Sequence, residues 1–383
     1  MKIRQFQLTP DGAPVHPAAC EAAQALSPHL LLAFGTPDAF GQHAVHTALR
    51  RDFPEAELAG CSTAGDISSD GVSDGSVTVT AIRFRDPAFG VAVTTRANSS
   101  DSRAAGQRLG TQLVSHRPHT IIVFGQGVAI NGSALIAGIA DVVGPEVAIS
   151  GGLAGDAGAF RRTLVMTTSG PSDDAVVAIG LHGARLRVTH GSYGGWHSFG
   201  PERLVTHAEG NLLHAIDGEP ALDLYKRYLG DHAARLPSSG LLFPFALLGD
   251  DYGSTGLIRT ILGVNEETRS LVMAGDIPTN ARVRLMHARA DQLIDGAEAA
   301  AEQAFEDATV DGDALSLMVS CVGRRLVLGE RADEEIEAVA HAMGGRDAVA
   351  GFYSYGEISP AQSGNVCLLH NQTMTISRWV EIG

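Results

Sequence analysis

At 383 residues with 44% apolar side chains, the chain is long enough for two or three domains with full hydrophobic cores, so size demands neither disulfides nor a structural metal. Its net charge of −15, from 28 Lys and Arg against 43 Asp and Glu, argues against a nucleic-acid partner and against adhesion to an anionic membrane, since both need clustered basic side chains. Cys20, Cys61, Cys321 and Cys367 form no CxxC pair, and neither a signal-like apolar core nor a run of eighteen apolar residues occurs, so the expectation is a complete cytoplasmic protein without membrane insertion.

HLLLAFG from His29 reads as a buried strand, QHAVHTALRRDF as a helix with Val45, Ala48 and Leu49 on its apolar side, and AELAGCSTAGDIS as a returning strand that ends in a glycine turn. SVTVTAIRF then alternates as an antiparallel strand would. The same order recurs from Thr120 (TIIVFGQG, GSALIAGIADVVG, EVAISGGLAGDAG, TLVMTTSG, AVVAIGLHG) and from Ala314 (ALSLMVSCVGRR, ADEEIEAVAHAMGG, AVAGFYSYGEIS, NVCLLHNQTMTI). From first strand to turn the spacing is 25 residues for Gly35 to Gly60, 26 for Gly125 to Gly151 and 30 for Cys321 to Gly351. Such internal similarity predicts an α/β fold of two domains with mixed sheets, built from repeated strand-helix-strand-turn-strand units. Between the second and third copies lie a turn-rich aromatic stretch at 192–201, a short helix at 219–230, the apolar stretch SSGLLFPFALLG broken by Pro244, and a helix expected at 286–308. The division is expected near 185–210, with domains 1–190 and 191–383.

The three turns align as Gly65-Asp66, Gly155-Asp156 and Gly356-Glu357. Glycine takes backbone angles denied to other residues and a short acid accepts nearby amides, so a structural role comes first; the same close approach can also wall a ligand pocket. On that reading the candidate ligand-binding residues are Cys61, Ser62, Thr63 and Asp66 in the first turn and Asp156 in the second. Tyr353, Tyr355 and Glu357 follow in the third, with Trp196 from the aromatic stretch. SCVGRR adds Cys321 and Arg324, whose planar donors would hold a carboxylate at a strand end or pair with an acid such as Glu330. No basic neighbour activates Cys61, and the other turns carry Gly152 or Phe352 in its place. No catalytic residue is assigned, and a cysteine-dependent enzyme is kept only as an alternative.

GxGxxG after a strand, a phosphate-loop lysine, G-x-S-x-G and HExxH are all absent. Fifteen histidines show no metal-ligand spacing. For an open-coordination iron in an apolar pocket, His190 and His197 are the first pair to test, with Tyr193, Trp196 and Phe199 as neighbouring surface.

GCSTAGDI at 60–67, GGLAGD at 151–156, GGWHSFGP at 194–201, SCVGRR at 320–325, GFYSYGEISP and LHNQTMT occur in the order found in FIST-domain proteins, and from about residue 28 onward the chain resembles that family in both its N-terminal and C-terminal portions. The resemblance implies a sensory, ligand-binding role in signal transduction. Stand-alone members of similar layout include haem-binding nitric oxide sensors that communicate with histidine kinases, which makes haem a candidate cofactor and a separate histidine kinase or other signalling protein a candidate partner. A small-metabolite sensor, for instance of amino acids, and a purely structural interaction module are the other readings.

Overall fold

The computed structural model describes the chain except residues 87–88, 97, 250–253, 307–309, 311 and 362–365. Three fully buried strands, Leu30–Gly35, Thr120–Gly125 and Leu315–Cys321, form the centres of three six-stranded sheets. Both of their faces are covered, so they are largely apolar, although Ser316 and Ser320 interrupt the third. Each pairs in parallel with the strand that follows its crossover helix: Glu57–Ser62 after Ala44–Asp52, Ala148–Leu153 after Gly132–Val143, and Ala348–Ser354 after Ala332–Ala342. On the other side each pairs antiparallel, with Val77–Arg83, Ala175–Leu181 and Met374–Glu381.

The repeat is longer than its sequence signature. An edge strand precedes each copy (Lys2–Leu8, Phe89–Thr95, Leu186–Tyr193), as does an extra helix (Pro17–Leu26, Ser102–Leu113, Ala290–Ala304). The chain is thus a mixed α/β protein in which strand-helix-strand units recur across two domains. The helix expected at 286–308 occupies Ala290–Ala304, because Arg282–His287 is a strand; residues 307–308 lie outside the described residues.

After each glycine bend the chain leaves its own sheet. The hairpin at 66–73 adds to the third sheet with Asp66 opposite Phe352, the hairpin at 165–172 to the first with Val165 opposite Cys61, and the hairpin at 356–370 to the second with Glu357 opposite Gly152. The exchange is cyclic, so every sheet is completed by another unit. Phe34, Phe124 and Phe352 meet where the sheets face one another, with ring centroids 4.9, 5.5 and 5.9 Å apart. Aromatic pairs at such distances add about 0.5–1.5 kcal/mol each beyond their burial.

Residues 197–287 form a satellite inserted into the third unit. Its eight-stranded sheet and the helix Ala221–Leu229 enclose a separate core that includes Val205, Leu213, Tyr225, Ile261 and Val283. Pro244 divides its stretch as expected, a 3-10 turn at Ser238–Leu242 giving way to the strand Phe245–Leu248. Buried Arg259 ties the satellite to the exchanged hairpin by donating from a terminal nitrogen to the Leu369 carbonyl at 3.2 Å.

Candidate ligand site at the junction of the bends

The three bends meet. Ala64 N donates to the Tyr353 carbonyl at 2.9 Å, Tyr353 N returns a bond to the Gly65 carbonyl at 2.8 Å, and Gly155 N reaches the Ser62 carbonyl at 2.8 Å. Ser62 Oγ donates to the Gly155 carbonyl at 2.7 Å, and Thr63 Oγ1 donates to Asp66 Oδ1 at 2.6 Å. Cys61, Ser62, Thr63, Asp66, Asp156, Trp196, Cys321, Arg324, Tyr353, Tyr355 and Glu357 are all buried at or beside this junction.

The carboxylates do not occupy equivalent places. Asp66 and Glu357 each sit at the start of an exchanged hairpin, but the second hairpin has Val165 there, and Asp156 lies in the longer connection before it. Asp156 instead organises that connection. It accepts the amides of Phe160, Arg161 and Arg162 at 2.7–2.9 Å and the Tyr355 hydroxyl, while Phe160 stacks on Tyr355 at 4.2 Å.

Arg324 has a structural partner set. The chain turns from strand to the helix Val322–Leu328 directly after Cys321, which carries Arg324 inward and Arg325 toward the first bend. Arg324 pairs with Glu335 rather than Glu330, both fully buried, and also donates to the carbonyls of Gly194 and Leu293. Ser320 Oγ and Tyr353 OH donate to the other Glu335 oxygen at 2.9 and 2.8 Å. Arg325 pairs with Asp74, donates to the Ala64 carbonyl and lies over the Tyr353 ring. Neither arginine is a free clamp for a ligand carboxylate.

Several buried polar atoms across the described residues are left unanswered, and three of them belong to Asp66 and Asn371. Asp66 Oδ2 and both polar atoms of the Asn371 side chain, all buried, have no hydrogen-bond partner among the described residues. Asn371 follows His370, which pairs with Glu357 across the hairpin, and precedes Thr373, whose amide and hydroxyl donate to Glu357 at 3.2 and 3.1 Å. Ser354 Oγ donates to the second Glu357 oxygen at 2.6 Å. Trp196 Nε1 closes the turn from the other side with a 2.8 Å bond to the Gln372 carbonyl. Sequence reasoning missed Asn371, Thr373, Ser354 and Glu335, although the first two lie inside the LHNQT stretch that ends the third repeat.

Burial pushes the Asp66 carboxyl up to about 7 and the Glu357 carboxyl up to about 8, with the hydroxyls of Thr63 and Ser354 opposing the rise. Burial also drives the Cys61 and Cys321 thiols upward, aided by Asp66 and Glu357 respectively. A nucleophilic cysteine needs the reverse, a stabilised thiolate, so the geometry gives no support to cysteine chemistry.

A raised carboxyl means that the folded state holds a proton the unfolded chain has released, so stability is lost as pH rises through the folded value. Desolvation lowers His190 and His370 to about 4, and that opposing contribution is complete above about pH 6.5. Between pH 6.5 and 8, below the range where unfolded thiols ionise, unfolding free energy is therefore expected to fall by about 1.5 kcal/mol through Glu357 and about 1 kcal/mol through Asp66. Urea unfolding of the wild type and of Glu357→Gln checks this: the variant loses most of the slope, and parallel pH profiles would contradict the assignment.

The residues around His190 and His197 do not fit haem. His190 has the needed nitrogen, neutral at pH 7, with Nδ1 3.2 Å from Ser377 Oγ and Nε2 without a partner among the described residues. Its recess, about 440 Å³, is bounded by Gly191, Ser192, Gln303, Pro360 and Ala361 rather than by a flat apolar slot. The three aromatics disperse: Tyr193 is 45% exposed, Trp196 packs in the core, and Phe199 lies against Phe243 and His287. His197 is exposed on the satellite strand, opposite His287.

Residues 29–219 match the FIST N domain and residues 221–360 the FIST C domain. No curated protein shows detectable similarity to the chain. The crystal structure of a cyanuric acid hydrolase from A. caulinodans aligns over 100% of this chain and 99% of its own, with 11% identity and a TM-score of 0.37, a likeness too low to carry an argument. Among the described residues no helix is long and apolar enough to cross a membrane.

Proposed function

Because the chain belongs to the FIST family, whose domains are generally sensory and signalling modules, we propose that it senses a small polar metabolite bound at the 371–373 turn beside Glu357. One observation carries the reading: the buried Asn371 side chain has neither its donor nor its acceptor answered by the described residues. Buried amides are almost always paired, and leaving one unpaired costs about 1–3 kcal/mol. A ligand offering both a donor and an acceptor, such as an amino acid, would satisfy the amide.

Binding there would bear on the exchanged hairpins, and through them on all three sheets. Output requires that the ligand prefer one of two conformations. The receiver of that output is a separate signalling protein, for which a histidine kinase is one class to test. At His190 and His197 the haem version lacks a flat apolar slot to support it.

Native mass measurement and absorbance after gentle purification test the reading. The expected result is a bound small molecule released on denaturation, no Soret band, and at least about tenfold lower occupancy in Asn371→Ala with unchanged folding. Protein mass alone, or a Soret band with the Asn371→Ala variant indistinguishable from wild type, would overturn it.

A further inference from the structure

A second site stands on the satellite hairpin, independent of the junction. In the stretch THAEGNLLHA, 206–215, His207 and Glu209 alternate onto one face of the strand His197–Glu209, and His214 lies on the antiparallel return strand Leu212–Ile216. A register irregularity at His207 leaves His214 unassigned to a partner residue, between Leu213 and Ala215. The two imidazoles stack with centroids 4.6 Å apart, and one ligand atom from each of His207, Glu209 and His214 lies within 4.8 Å of the others. No short-range metal motif matches the spacing, so only the pairing of the strands brings the three together.

We propose that this cluster binds a borderline divalent first-row cation, of which Zn²⁺ is the natural probe. Two imidazoles and one carboxylate form a donor set suited to such ions, with the remaining coordination positions left to water. His207 Nε2 and Glu209 Oε1 are 3.4 Å apart. That is the edge expected of a tetrahedron with metal–ligand bonds of about 2.0–2.1 Å, about 3.4 Å. His214 Nε2 is buried without a hydrogen-bond partner among the described residues, so recruiting it to a cation would break no existing hydrogen bond of that nitrogen.

The support beneath the ligands is fixed. The turn residue Asn211 donates from its side chain to the Met273 carbonyl at 3.0 Å and receives the Met273 amide on its own carbonyl at 2.8 Å. The Ile277 amide reaches the Gly210 carbonyl at 3.0 Å, and Thr279 Oγ1 bonds both the amide and the carbonyl of Ala208 at 3.1 and 3.0 Å. Leu213, between the ligand positions, is fully buried in the satellite core. A held hairpin of this kind reduces the ordering cost of binding. The net charge of −15 further favours cation approach.

Calorimetric titration of the chelator-treated full chain with Zn²⁺, paired with Co²⁺ absorbance, tests the site. The expected result is one ion per chain at micromolar affinity, with His214→Ala and His207→Ala each weakening Zn²⁺ by about tenfold or more and removing the Co²⁺ ligand-field bands. Circular dichroism verifies that each variant is folded; if one is not, His207→Gln takes its place. Unchanged Zn²⁺ affinity in both folded variants, or wild-type affinity no better than about millimolar, would overturn the proposal.

Discussion

Arg324→Met is expected to cost about 3–5 kcal/mol of folding stability. The substitution keeps a long apolar side chain but leaves Glu335 as a fully buried carboxylate facing the hydroxyls of Ser320 and Tyr353 without its cation. It also deprives the carbonyls of Gly194 and Leu293 of a donor, loosening the third unit against the start of the satellite and the helix Ala290–Ala304. The double variant Arg324→Met/Glu335→Leu should be less destabilised than the single one, because removing both charges avoids the uncompensated anion. Urea unfolding of the three proteins measures this. A ligand-clamping arginine would give the opposite pattern, with stability preserved and ligand lost.

Gly151→Ala is expected to cost more than about 3 kcal/mol, and Gly60→Ala and Gly351→Ala similar amounts. These glycines mark the same place in each unit, with φ of +122°, +154° and +159°, and a Cβ would run into the carbonyl oxygen of Val123, Ala33 and Met318 respectively. Those carbonyls belong to the central strands, so relief requires the parallel pair to separate. Gly75→Ala is the control: its φ of +93° carries backbone strain of about 1–2 kcal/mol, but no atom lies within 4 Å of the added methyl. Equal losses at Gly75 and Gly151 would show that close approach is not what these strand positions require.

The repeated glycines explain what was legible. Central strands, crossover helices and the glycines of the returning strands could be read because each leaves a mark in the sequence: two covered faces, an amphipathic stripe, a carbonyl of the neighbouring strand too close for a side chain. The exchange of hairpins was not legible. Asp66–Ser68 and Val165–Thr167 are three residues long, and nothing in so short a strand states which sheet it completes.

The same limit explains the site. Asp156 imitates Asp66 by following a glycine, yet the longer connection after it moves Val165 into the matching register. Arg324 and Glu335 are eleven residues apart on different helices, so helical spacing could not pair them. Asn371 has the composition of an ordinary turn residue. Its distinction is burial without a partner, which only tertiary packing creates.

The most direct measurement is a high-resolution crystal structure of gently purified protein, with the density beside Asn371 as its readout. The account predicts a small polar molecule that bonds both the donor and the acceptor of the Asn371 amide. A side chain of the protein itself filling that place and pairing the amide would contradict it.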